Sequence, residues 1–519
     1  MSKKQNRALR FAKFAARMIL LLSAPVMLSS FLAAQSAPPI DAVATPPKNA
    51  KHPMAGMGVM SGEVTHHSAL VQMRLTETAM SVNQDVAGAW GFVEFRAQPK
   101  GRRSVPLVKT AYCLPQRDFI ARVHFSKLLA NTTYVCTSRI GPTPENLSES
   151  PTLEFKTHPG RQNADTVRFV VVTGMNYAKF HGDNRIDRKR HLIQNNTNLP
   201  KPYEGKDKHL GYPALETILE IQPDFFVGTG DNVYYDTPTD PRSQTIPQMR
   251  QKWHQQFIQP RYRQLFAKVP TFWMVDDHDY RIDDSDNSGE YLPLPETGRQ
   301  ILMEQLPYAP FNEPAAKTYR THRVSKDLQI WLPENRFYRS PNSQPDTPEK
   351  SIWGTEQKRW LKKSLLASDA TFKILISPTP MIGPDDLRKK DNHCDVGGFR
   401  HERDEFFNFL KQNNLVKGNF FIVCGDRHWQ YHAMDSTGLE EFSCGALVDA
   451  NSRLGRLPGD PAGTDPEGLI KHLYNQTKRS GGFLMITSQP ANQGKKATLA
   501  FEFHDEKGKL LYRHIKKTP

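Results

Sequence analysis

Three apolar runs in the middle and late chain each break off into acid. FFVGTGD closes on Asp231, FWMVDDHD carries Asp276, Asp277, His278 and Asp279, and FFIVCGDRH carries Asp426 and His428. Carboxylate oxygens and imidazole nitrogens are donors for divalent and trivalent cations, so three such endings read as the parts of one metal centre. Each ending also has a plainer reading. A Gly-Asp turn like Gly230-Asp231 closes strands in many proteins that bind nothing, because glycine permits the sharp turn. An acidic run can be a solvated face, yet three acids around His278 at a half-buried strand end repel one another unless a cation offsets them. Asp426 and His428, one residue apart, can address two neighbouring ions from one turn or simply face water. Together the three endings favour metal. Tyr234, three residues beyond Asp231, is near enough to turn a phenolic oxygen toward the same centre.

Such endings need strands to place them. Apolar runs of about four to eight residues suit strands buried on both faces, and ligands of open α/β sheets sit beyond the carboxyl ends of such strands. From Val167 onward, strand-like segments (RFVVVTG, FFVGTG, PTFWMV, FKILISP, NFFIVCG) alternate with helical spacing (ALETILEIQ, EQKRWLKKSLLAS, ERDEFFNFLKQ). That alternation predicts a layered α/β domain over residues 165–519, closed by further strands from Gly482. Over residues 56–160 the segments ALVQMRL, AWGFVEFRA, DFIARVHF, TTYVCTSR and TLEFKT, separated by turn residues, predict a small all-β sandwich of fibronectin or immunoglobulin type. Tyr134 stands there either as a tyrosine corner or as an ordinary strand tyrosine. The polar, basic stretch from Asp183 to Lys208 reads as a loop inserted near the mouth of the site.

The 519 residues carry a formal charge of +15, but Lys3, Lys4, Arg7, Arg10, Lys13 and Arg17 all precede any acid. They form the basic start of a segment that continues with an apolar stretch from Met18 to Ala34 and small residues to Ala37. This is the pattern of a Sec-type signal peptide over 1–37, with an uncleaved anchor as the rival, and it predicts a secreted or periplasmic protein. Residues 38–55 read as a linker. No later apolar run is long enough to span a bilayer, and no basic patch interleaved with aromatics points to a nucleic-acid partner. Five cysteines make no disulfide framework. Cys113 and Cys136 could pair, whereas Cys394, Cys424 and Cys444 read as buried thiols.

In order along the chain, GVMSGEVTHHSALVQMRL, FVVVTGMNY, GDNVYYD, VDDHD, GTEQKRWLKKSL and GDRH resemble the successive signatures of the PhoD-like alkaline phosphatase branch of the metallophosphoesterase superfamily. The likeness runs from about Gly56 to the end. It implies an α/β (α+β) metallophosphoesterase-like layered core behind a fibronectin-like sandwich. It further implies that Asp231 bridges two metals, that Tyr234 binds the first as phenolate, and that Asp277 binds the second. His278 would assist the leaving group, and Asp426 and His428 would ligate the second and first metals. Asn176 would lie at the rim as a further ligand. Iron and calcium are the metals implied. One position departs: Gly174 stands where the family commonly carries a cysteine ligand, so water, Asn176 or a carboxylate would have to replace it. Arg336, in ENRFYR behind Glu334, either clamps an anion or forms an ion pair.

The activity implied is hydrolysis of phosphate mono- or diesters by a metal-bound hydroxide. A rival reading is an extracellular metal-containing binding protein that no longer turns over, to which Gly174 points.

Overall fold

The computed structural model describes residues 47, 50–79, 85–186, 201–313, 316–417, 419–492 and 494–518. The expected signal peptide, most of the expected linker and residues 187–200 of the expected loop lie outside them. The amino-terminal strands are β1 (Val59–Gly62), β2 (Ser68–Arg74), β3 (Gly91–Pro99), β4 (Leu107–Cys113), β5 (Ile120–Ser126), β6 (Thr133–Thr143) and β7 (Asn146–Lys156). Strands then alternate with helices: β8 (Val167–Val172), α1 (Tyr177–His181), α2 (Pro213–Ile221), β9 (Phe225–Gly228), α3 (Ile246–Phe257), α4 (Pro260–Phe266), β10 (Thr271–Trp273) and α5 (Pro295–Gln305). Next come β11 (Arg320–Arg323), β12 (Leu328–Leu332), α6 (Gly354–Leu366), β13 (Phe372–Ser377), α7 (Arg400–Gln412) and β14 (Phe420–Cys424). The chain closes with β15 (Gln430–Met434), β16 (Glu440–Cys444), β17 (Lys471–Asn475), β18 (Gly482–Gln489), β19 (Thr498–Asp505) and β20 (Leu510–Lys517).

Two sheets stack to make the core. One has nine strands in the order β20-β19-β18-β8-β9-β10-β1-β2-β5, the other seven in the order β11-β12-β13-β14-β16-β15-β17. Phe169, Val171, Val227 and Phe272 of the first meet Ile374, Ile376, Val423 and Phe442 of the second, all buried. The strands at the centre are parallel (β8-β9-β10 and β12-β13-β14-β16), which is why they read as unbroken apolar runs. Leu215, Trp253, Leu265 and Ile301, from α2 to α5, cover the outer face of the first sheet. Leu361 and Phe406, from α6 and α7, cover that of the second. The result is the expected layered α/β core.

The amino-terminal segment is all-β, with a feature its turn spacing does not announce. Strands β4-β3-β6-β7 form one layer, and the facing layer, β1-β2-β5, is the end of the nine-stranded sheet. The junction is a parallel pairing of β1 with β10, Gly62 opposite Thr271. Between the layers pack Val71, Val123 and Phe125 against Val93, Phe95 and Phe155. The Tyr134 hydroxyl accepts the Leu129 N–H at 2.9 Å, so the tyrosine corner is formed. Cys113 and Cys136 do not pair: both are buried free thiols on different strands, each packed as a small apolar group. Residues 45–519 make one compact unit, and among the described residues no helix is long and apolar enough to cross a membrane.

Candidate metal centre

The ends of β9, β10 and β14 meet at one edge of the two stacked sheets. Asp231 leaves β9 through Gly230, whose φ of +105° admits only glycine comfortably and whose added Cβ would stand 2.4 Å from the Cβ of Asp276. Glycine therefore lets the β9 and β10 endings approach. Asp231, Asp426 and His428 all hold φ between 56° and 59°, a left-handed backbone that costs about 1–3 kcal/mol in a residue other than glycine and collects at functional sites.

Asp231 Oδ2 lies 2.7 Å from His428 Nε2 and 2.8 Å from the Tyr234 hydroxyl, which is itself 3.2 Å from His428 Nε2. Three donor atoms so spaced outline one face of a coordination shell. Donors of Asp231, Asp277 and His278 form a second group within 4.8 Å of one another, and Asp277, Asp283 and Asp284 a third. Asp231 Oδ1 is buried without a hydrogen-bond partner, an orphan that a cation would satisfy. Burial, then the charges of Asp277 and Asp426, push the Asp231 carboxyl up to about 7, the mark of negative charge without its counterion. Burial, with the charges of Arg453 and Lys179, holds His428 well below the usual imidazole range, which favours the neutral form that ligates metal. Asp426 accepts from Asn392 Nδ2 at 3.3 Å, while the carboxamide oxygen of Asn392 is buried and unpartnered. These residues fit two or more cations.

His278 is held differently. Its Nδ1 lies 2.8 and 2.9 Å from the two oxygens of Asp236, and its ring rests 4.4 Å from that of Tyr234. Burial opposes the imidazolium, but the carboxylates of Asp236, Asp277 and Asp231 outweigh it and hold the pKa well above the ordinary value.

Residues 202–470 match the family model of the PhoD-like phosphatases. The chain belongs to that family. It is a metal-dependent phosphoesterase, and its substrate is a phosphate ester. Its fold is similar to that of PhoD, at 16% identity over 91% of this chain and 92% of that one, with a TM-score of 0.67. It is also similar to the purple acid phosphatase PPD1 from yellow lupin (Lupinus luteus) seeds, at 12% identity over 90% of this chain and 74% of that one, with a TM-score of 0.54. No curated protein sequence matches.

Three of the expected positions gain defined contacts within this PhoD-like phosphatase. The carboxamide oxygen of Asn176 caps α1, accepting the Lys179 N–H at 3.0 Å, the usual task of asparagine at a helix start. Arg336 takes the ion-pair alternative. Fully buried, it donates from Nε to Asp276 at 2.7 Å, from Nη2 to Asp276 and Asp391, and from Nη1 to the Ser285 carbonyl. Gly174 has φ +68°, and a Cβ there would lie 2.9 Å from Ala446 Cβ and 3.1 Å from His428 Cδ2. Its carbonyl accepts from Asn451 Nδ2 at 3.0 Å, and the same Nδ2 donates to the Tyr234 oxygen at 2.7 Å.

Sequence reasoning passed over Asp236, Asn392, Asn451 and Lys179. Only Asp236 carried a signal, as the last residue of the GDNVYYD motif. Asn392, in a turn, and Asn451, at the end of a short 3-10 helix, lie far along the chain.

Proposed function

We propose that Asp231 bridges two cations, with Tyr234 and His428 completing the hold on the first and Asp277, Asp426 and Asn392 on the second. The observation that carries this is the division of labour within one carboxylate: Oδ2 of Asp231 is shared between Tyr234 and His428, while Oδ1 is buried and unpartnered. A phenol, an imidazole and a carboxylate suit iron(III), whereas the oxygen donors of Asp277, Asp426 and Asn392 suit calcium. Without a cysteine at 174 the first site leans further toward hard ions.

Bound there, the cations would supply Lewis-acid charge and an activated water for in-line displacement at phosphorus. The carboxylates around His278 favour its protonated form, and with Asp236 on Nδ1 the proton for the departing alkoxide would come from Nε2, which lies 3.6 Å from Asp283. Asp236 fixes the ring, which packs against that of Tyr234 at an interplanar angle of 34°. Residues 56–160 form a fibronectin-like sandwich grown onto the edge of the catalytic sheet. Residues 1–37 direct export to the periplasm or beyond.

The test is a side-by-side assay of an aryl phosphate with wild type, Asp231→Asn and His278→Ala, with elemental analysis and a visible spectrum of each. Wild type should contain at least two metal equivalents and show a tyrosinate charge-transfer band. Asp231→Asn should lose metal and activity together, and His278→Ala should keep its metal while kcat falls on the order of 10²–10⁴-fold. An unchanged kcat in His278→Ala would remove its proposed role.

A further inference from the structure

Most cations around the centre are already answered by carboxylates. Arg336 is paired with Asp276 and Asp391, Lys389 with Asp284 and Asp391, and Arg427 with Asp385 and Asp426. Two are not. Among the described residues, neither Arg453 nor Lys179 has a carboxylate within ion-pair distance. Arg453 is clamped on the turn that carries Asp426 and His428: its N–H donates to the His428 carbonyl at 3.1 Å, Nε to the Arg427 carbonyl at 3.2 Å and Nη2 to the Asp426 carbonyl at 3.2 Å. Nη1 is bonded to none of the described residues, and the side chain is part-exposed. Lys179 donates from Nζ to Asn451 Oδ1 at 2.8 Å, and Asn451 lies two residues before Arg453 and bonds the Tyr234 oxygen.

We propose that Arg453, backed by Lys179, receives the non-bridging oxygens of the substrate phosphate and favours a doubly charged monoester over a singly charged diester. This rests on the phosphoesterase reading of the same centre. Two cations beside the centre with no carboxylate in ion-pair contact carry an electrostatic cost, and an anion laid between them and the metals offsets it. The two do feel each other. Burial lowers the Lys179 ammonium to about 8, with the charge of Arg453 the next cause and the carboxylates of Asp236, Asp231 and Asp283 opposing both. Hydrogen bonds hold both beside the ligand-bearing elements: Arg453 to the carbonyls of Asp426 and His428, and Lys179 through Asn451 to the Tyr234 oxygen. Guanidinium suits the task because its planar fork can stay anchored to backbone carbonyls while another N–H meets a phosphate oxygen. A dianion gains from both cations, whereas a diester monoanion brings half the charge.

The experiment uses metal-loaded Arg453→Met and Arg453→Lys. Inorganic phosphate binding is followed by calorimetry, together with KM and kcat on an aryl phosphate and a bis-aryl phosphodiester and with metal content. In Arg453→Met the phosphate Kd and the monoester KM should rise about tenfold or more, and the diester KM less than about threefold, with metal content unchanged. Arg453→Lys should recover part of the phosphate affinity. An unmoved phosphate Kd, an equal rise for both esters, or loss of metal from Arg453→Met would each overturn the proposal, the last by making the residue a brace of the turn. Failure of the phosphoesterase reading would look different. Wild type would then turn over neither ester, while calorimetry would still report whether Arg453 holds phosphate.

Discussion

Position 174 acts through its backbone and not through a side chain. A cysteine there would offer the first metal a thiolate. Instead the backbone adopts a left-handed conformation, and its carbonyl anchors the Asn451 carboxamide that also bonds Tyr234. Any Cβ would press on Ala446 and the His428 ring. Gly174→Ala should therefore destabilise the protein by about 1–3 kcal/mol through the left-handed backbone and weaken the first metal by displacing His428. Denaturant unfolding and metal content measure the two effects. A variant as stable and as metal-rich as wild type would show that the site has room for a side chain.

At the scale of elements, the strand ends supply direction and the contacts between elements supply rigidity. Asp118, just before β5, accepts from Arg74 of β2, from His254 of α3 at 2.6 Å and from Gln305 of α5 at 2.8 Å, which ties the amino-terminal strands to two helices that cover the catalytic sheet. Burial alone would raise the Asp118 carboxyl, but His254 and Arg74 more than reverse that and hold it well below the usual carboxylate range. Removing one partner of a buried ion pair leaves the others uncompensated, so Asp118→Asn should cost about 3–5 kcal/mol at neutral pH. The sign of its pH dependence follows from the lowered pKa. The carboxylate contributes in full above its unfolded pKa of about 3.9, and the contribution fades as pH falls through the folded value. Denaturant titrations of wild type and Asp118→Asn should differ by a constant amount from about pH 5 upward and converge in acid. A gap that persists in acid would assign the cost to shape and not to charge.

Over the whole molecule, the amino-terminal β layers and the catalytic layers share one sheet. Besides the β1-β10 pairing, Arg122 donates to the carbonyls of Met303, Glu304 and Ala309, and Glu63 pairs with Arg320. Breaking such a junction exposes a sheet edge and strands a buried guanidinium. The full chain should therefore unfold in one transition, with circular dichroism and loss of ester hydrolysis coinciding in denaturant. A fragment of residues 161–519 should aggregate or unfold at lower denaturant. Two separated transitions would mean that the junction adds little.

The local signals were legible. Unbroken apolar runs marked the parallel strands because both of their faces are buried, and the acids at their ends marked the metal chemistry because strand ends are where backbone turns outward. Asp231, Asp277, His278, Asp426 and His428 could be picked out on those grounds. What each cation does was not legible, because Arg336 and Arg453 look alike in a sequence, and only burial among Asp276 and Asp391 separates the first from the second. Asn176 likewise fell to its neighbour Lys179 as a helix cap. The link between Tyr234 and Asn451 spans 217 residues, and that between Lys179 and Asn451 spans 272. No periodicity survives such separations. Chemical type at a strand end is a property of the chain, but the pairing of charges is decided by which distant loops the packed sheets bring to the same edge.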